Sequence, residues 1–119
     1  MKTILIVDDN ENILQVLKEL LEGKGFEVTT MERGAAVLEA VQLSKPDVVL
    51  MDITLGNSNG YDIYKAIKEN IATRGTPVLL MSSGDGIASV AISNLKWEEV
   101  IDKPFDLKQL IGKMHWLAA

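Results

Sequence analysis

The sequence contains no cysteine, which removes disulfides, thiolate metal ligands and cysteine nucleophiles and accords with a reducing compartment. Positive charge is in the minority, with twelve Lys and Arg against seventeen Asp and Glu for a net charge of -5. Phosphate backbones and anionic membrane surfaces therefore repel the chain on average, and direct nucleic-acid binding is not expected. Long apolar runs are missing too. Met1-Lys2 followed by Ile4 to Val7 starts like an export signal, but Asp8 and Asp9 end the run at once. Every other apolar run falls far short of the roughly eighteen residues of a membrane span. A soluble, cytoplasmic protein is expected. There is no linker, repeat or low-complexity tract. At 119 residues and 47% apolar, the chain has the size of one domain, from residue 1 to 119.

What is present is an alternation. Short apolar runs, typical of strands buried on both faces, alternate with segments of helical period, a pattern that predicts a parallel sheet covered by helices. Ile4 to Val7 is the first strand. Ile13, Leu14, Val16, Leu17, Leu20 and Leu21 then follow at helical spacing, with Asn10 as N-cap and Gly23 and Gly25 as stop signals. Phe26 to Met31 predicts a second strand. Ala35 to Leu43 predicts a second helix, ended ahead of Pro46. The third strand is Asp47 to Met51. After a polar loop from Gly56 to Gly60, a third helix is expected over Tyr61 to Ile71. Val78 to Met81 is the fourth strand, Gly86 to Leu95 a short helix built from poor helix formers, and Glu99 to Asp102 the fifth strand. Asp106 is placed to cap a last helix running to about Leu117.

In open α/β sheets ligands bind beyond the carboxyl ends of the strands, and there the chemistry-bearing residues fall. Asp8 and Asp9 follow the first strand and Asp52 closes the third. In a sheet that sets the first strand between the second and third, three carboxylates share one pocket. Such crowding raises carboxylate pKa values unless a cation is present, and an all-oxygen donor set favours Mg²⁺, or Mn²⁺, over zinc or copper. Ser82 follows the fourth strand and Lys103 the fifth. Taken singly, each has a plain reading: Asp8-Asp9 as the negative start of a helix, Asp52 and Ser82 as turn residues, Lys103 as a solvated lysine. Together they suggest a phosphoryl site, because a carboxylate can attack phosphorus when metal and ammonium neutralise the transferring oxygens.

Four strings carry a family resemblance: Val7-Asp8-Asp9-Asn10-Glu11, Val49-Leu50-Met51-Asp52-Ile53, Pro77-Val78-Leu79-Leu80-Met81-Ser82 and Lys103-Pro104-Phe105. In order and approximate spacing they resemble the response regulator receiver domain of bacterial two-component systems, over essentially the entire chain. The resemblance implies a flavodoxin-like (βα)5 fold, doubly wound, with a parallel five-stranded sheet in the order 2-1-3-4-5. It implies that Asp52 is the phosphoacceptor and that Asp9, Asp52 and the Thr54 backbone carbonyl bind Mg²⁺ directly, with Asp8 acting through water. Ser82 is then the switch hydroxyl and Lys103 the cation paired with the phosphoryl group, followed by a fixed turn at Pro104 that is often cis in the family. The implied partners are a sensor histidine kinase or histidine phosphotransfer protein as donor and an unspecified downstream protein as target. Such a domain is a phosphoacceptor that assists its own phosphorylation and dephosphorylation, not an enzyme. His115, near the end of the last helix, is no substitute donor.

Departures from the family pattern concern output. Val100 stands where the family usually has Tyr or Phe, so the usual hydroxyl-to-aromatic signal cannot operate in that form. Gly56 replaces a common Pro and Ser58-Asn59 a common Met-Asp, which predicts a more flexible loop after the third strand. Ser83-Gly84-Asp85-Gly86 predicts a mobile segment after the fourth. Three other functions compete: a phosphorylation-independent interaction module of the same fold, a flavodoxin-like cofactor carrier, and an aspartate-nucleophile phosphatase. Asp8-Asp9-Asn10-Glu11 would repel a cofactor phosphate, and such phosphatases usually carry the nucleophile on the first strand of a longer chain.

Overall fold

The computed structural model describes residues 1–82, 95, 99–103 and 106–119. The helix expected over Gly86 to Leu95, the segment from Ser83 to Gly86 and the Pro104 turn lie outside the described residues, Leu95 excepted.

Five strands, β1 (Thr3–Val7), β2 (Glu27–Met31), β3 (Val48–Asp52), β6 (Val78–Ser82) and β7 (Val100–Asp102), form one parallel sheet in the order β2-β1-β3-β6-β7. The intervening labels belong to a separate antiparallel pair, β4 (Thr54–Leu55) and β5 (Ser58–Asn59). With that pair set aside the order is 2-1-3-4-5, as the resemblance implied. Because side chains alternate across a strand, each sheet face has its own core. Ile4, Ile6, Leu50, Leu79, Met81 and Ile101 point to one side, against α1 (Glu11–Glu22) and α4 (Leu107–Ala118). Leu5, Val7, Val49, Met51, Val78 and Leu80 point to the other, against α2 (Val37–Ser44) and α3 (Gly60–Glu69). Every residue of β3 and β6 is buried, which is why those runs read as continuously apolar.

Helix boundaries follow their caps. The Asn10 side chain accepts hydrogen bonds from the backbone N–H groups of Asn12 and Ile13 and starts α1. Asp106 accepts from the Lys108 N–H and starts α4. Asn59 accepts from the Tyr61 N–H and starts α3, each cap satisfying an orphan donor of the first turn. Two parts of the helical reading need adjustment. Val16 is exposed, because Leu14, Leu17 and Leu21 already fill the stripe that faces the sheet. The third helix stops at Glu69 and leaves Ile71 exposed, since the Asn70 carboxamide turns to accept from the Ala72 N–H and opens a turn.

The segment after β3 also differs from expectation. Leu55 pairs with Ser58 across Gly56-Asn57, a two-residue hairpin whose first central residue, Gly56, has φ of 59°. That left-handed conformation suits glycine and matches the twist of a short hairpin. Gly56, part of the expected polar loop, thus supplies the turn of this hairpin.

Candidate functional site

Parallel strands bring all their carboxyl ends to one rim, and the sequence-selected residues meet there. β1 ends at Val7, so Asp8 and Asp9 emerge directly beyond it, Asp8 buried and Asp9 exposed. Asp52 is the last residue of β3, in register with Met81 of β6. Ser82 ends β6 and is fully buried. Its carbonyl accepts the Lys103 N–H just after β7, so the Lys103 backbone is fixed beside the serine.

The Lys103 Nζ lies 2.7 Å from Asp52 Oδ2 and 3.2 Å from Asp8 Oδ2. The other oxygens of these carboxylates are held by backbone. Asp52 Oδ1 accepts from the Thr54 N–H at 2.9 Å, and Asp8 Oδ1 from the Asn10 N–H at 2.9 Å. One carboxylate oxygen each from Asp8, Asp9 and Asp52 lie within 4.8 Å of one another. Thr54 is exposed at the start of the hairpin. A groove lined by Asp9, Arg33, Gly34, Gly56 and Asn57 runs outward from this rim.

Electrostatics here are unbalanced toward negative charge. Burial pushes the Asp8 carboxyl above the usual carboxylate range and the charge of Asp52 adds to this; the Asn10 N–H and Lys103 offset only part of it. Burial pulls the Lys103 ammonium down, but the hydrogen bond and charge of Asp52, with those of Asp8, outweigh it and leave the lysine more basic than usual. Three acids with one partly buried ammonium are one cation short. Hard oxygen donors at this separation, one of them open to solvent, suit Mg²⁺ or Mn²⁺.

All the side chains singled out in the sequence at strand ends, Asp8, Asp9, Asp52, Ser82 and Lys103, lie at this rim. His115 does not: its ring packs 4.8 Å from that of Phe26, which directly precedes β2 and so lies at the opposite rim. Two neighbours were missed. Gly60, at the start of α3, packs so closely on β3 that a Cβ there would sit 2.2 Å from the Asp52 carbonyl oxygen. Lys113, 4% exposed, donates to the Val100 carbonyl at 2.9 Å. Its signal was available, since Lys113 falls on the apolar stripe of Leu110, Met114 and Leu117.

An open, doubly wound parallel sheet with an acidic cluster, a paired lysine and a buried serine at its carboxyl rim defines a small class of α/β proteins. Within that class the chain belongs to the response regulator receiver domain family, whose model matches residues 4–115. The nisin biosynthesis regulatory protein NisR of Lactococcus lactis subsp. lactis is 34% identical over 113 residues, covering 94% of this chain and 48% of that protein. The transcriptional regulatory protein CpxR of Escherichia coli (strain K12) is 32% identical over 124 residues, covering 98% of this chain and 52% of its own. The chain thus spans about half the length of these curated relatives. Among solved structures, a response regulator receiver domain protein from Clostridium thermocellum superimposes with a TM-score of 0.86 at 26% identity, covering 99% of this chain and 94% of that one. The chain is a receiver domain of the two-component type.

Proposed function

We propose that the domain occupies residues 1 to 119 and that Asp52 accepts a phosphoryl group from a phosphohistidine on a sensor histidine kinase or histidine phosphotransfer protein. The observation that carries this reading is the Lys103 ammonium bridging Asp52 and Asp8 beside Asp9. An Asp52 carboxylate oxygen attacks phosphorus as the P–N bond breaks, and the electron pair of that bond leaves with the donor imidazole. Lys103 and the Ser82 hydroxyl neutralise and orient the transferring oxygens. Asp9, Asp52 and the Thr54 carbonyl would hold Mg²⁺, with Asp8 acting through water. The ion, when bound, supplies the positive charge that three acids and two incoming phosphoryl charges require. Return to the ground state is attack of water on phosphorus, with cleavage of the P–O bond to Asp52 and release of inorganic phosphate. The domain promotes both steps on itself and turns over no separate substrate, so it serves as a switch and not as an enzyme.

Its place is the cytoplasm, where histidine kinases present their phosphohistidine. Among the described residues no helix is long and apolar enough to cross a membrane. The net charge of -5 disfavours DNA contact by this domain itself, whatever output a downstream partner provides. The convergence of the full acid, hydroxyl and ammonium set speaks against the phosphorylation-independent module. Intact-mass measurement after treatment with acetyl phosphate and Mg²⁺ tests the assignment. Wild type should gain the mass of one phosphoryl group, and Asp52→Asn should gain none. Equal labelling of both would refute it.

A further inference from the structure

Lys103 is delivered to the acids by a short element. β7 has three residues, and among the described strands it lies at the sheet edge, paired only with β6. Backbone pairing alone holds such an edge weakly, yet the ammonium beyond it reaches Asp52 Oδ2 at 2.7 Å. Two side chains from different helices grip this strand, one at the residue just before it and one at its first residue. On α3, Tyr64 donates its hydroxyl to the carboxylate of Glu99, the residue directly before β7. On α4, the buried Lys113 ammonium donates to the carbonyl of Val100, the first residue of β7. The Lys103 N–H points to β6 through Ser82, so by alternation along the strand Val100 turns its backbone groups to the outer edge. Lys113 therefore covers an edge acceptor that β6 does not reach.

Tyr64 is itself held. Its ring stacks on Tyr61 at 5.9 Å. The Lys68 ammonium lies 5.9 Å above it while donating to the Thr76 carbonyl, just ahead of β6. The phenol is thereby tied to the segment that leads into the strand next to β7.

We propose that Tyr64 and Lys113 are positioning residues for phosphoryl transfer: they act through Lys103, by fixing β7 along and across the sheet so that the ammonium is preset at the Asp52 carboxylate. This rests on the role of Lys103 proposed above. Displacement of a reacting group by about 1 Å can cost up to ~10²-fold in rate, and a three-residue strand paired with one neighbour among the described strands is where such a slip would start.

The test uses the whole chain, with acetyl phosphate and Mg²⁺ as phosphodonor system and beryllofluoride as phosphoryl mimic. Tyr64→Phe removes one oxygen and keeps the ring; Lys113→Met keeps most of the volume and removes the donor. Each should slow phosphorylation roughly tenfold and weaken beryllofluoride binding by a similar factor, well below its melting temperature and with Mg²⁺ affinity unchanged. Lys113→Arg should restore most of the loss. The decisive readout is the Lys103→Ala background, where Tyr64→Phe and Lys113→Met should add little, because the group they position is gone. Undiminished rate and beryllofluoride affinity in Tyr64→Phe and Lys113→Met, or equal losses with and without Lys103, would overturn the proposal. Should Lys113→Met fail to fold, Tyr64→Phe decides by the same criteria. Full phosphorylation by Lys103→Ala alone would instead refute the role of the lysine, and this inference with it.

Discussion

Gly60→Ala is the substitution whose consequence can be worked most directly from the packing. An added Cβ would lie 2.2 Å from the Asp52 carbonyl oxygen and 2.9 Å from the Ile53 Cα, both backbone atoms that cannot swing aside. Reaching an ordinary contact requires a separation of roughly 1 Å between α3 and β3, at an overpacking cost of ~1–3 kcal/mol. The same movement stretches the Gly60 N–H bond to the Ile53 carbonyl, now 2.7 Å, whose loss costs about 1 kcal/mol. Alanine recovers up to ~1 kcal/mol of helix propensity. The net expectation is a destabilisation of about 1–3 kcal/mol, read in urea as a midpoint lowered by ~1–2 M. Gly112→Ala is the matched control, since its Cβ would meet nothing within 4 Å on the exposed side of α4, and it should stabilise by ~0.5–1 kcal/mol. Because the strained atom is the Asp52 carbonyl, Gly60→Ala should also phosphorylate more slowly than wild type when both are fully folded. A Gly60→Ala midpoint within experimental error of wild type would show that α3 does not press on the aspartate, and the reasoning would fail.

Further outcomes follow from other contacts. Mg²⁺ at about a hundredfold excess over its dissociation constant should stabilise wild type by ~2.7 kcal/mol by mass action, and Asp9→Asn should lose most of that shift in a thermal scan. Asp47 accepts from the Thr3 N–H at 2.7 Å, and chiefly this bond lowers its pKa from 3.8. Its contribution is therefore present above about pH 4 and lost as pH falls through the lowered value. Asp47→Asn should cost about 1 kcal/mol or less near neutrality, and its difference from wild type should vanish in acid. Asp106→Ala removes the cap of α4 and should cost ~1 kcal/mol in urea unfolding. None of the Asp47 and Asp106 variants should change the phosphorylation rate of the folded protein.

The order of elements and the rim where chemistry gathers could be read in the sequence, because strands buried on both faces and helices with one apolar stripe leave different periods. Asn10 and Asp106 were legible as caps for a related reason: their hydrogen bonds reach only two or three residues along the chain. What escaped depends on tertiary closeness. The approach of Gly60 to Asp52 is a distance between two elements, and nothing in Asn59-Gly60-Tyr61 announces it. The bond from Tyr64 to Glu99 spans thirty-five positions and joins residues that each look like ordinary surface groups. The use made of Gly56 also escaped: its conformational freedom was legible, but not that a two-residue hairpin would draw on it to turn, with φ of 59°.

The parallel direction of every strand in the main sheet separates two kinds of residue into opposite ends of the molecule. Asp47 and Thr3 tie β3 to β1 where those strands begin, and His115 rests on Phe26 at that same end. The acids, serine and lysine all lie where the strands finish. Substitutions that retune donor choice or phosphoryl lifetime can therefore accumulate at one pole while the anchoring contacts at the other stay untouched, so one scaffold can diversify into many signalling channels without being rebuilt.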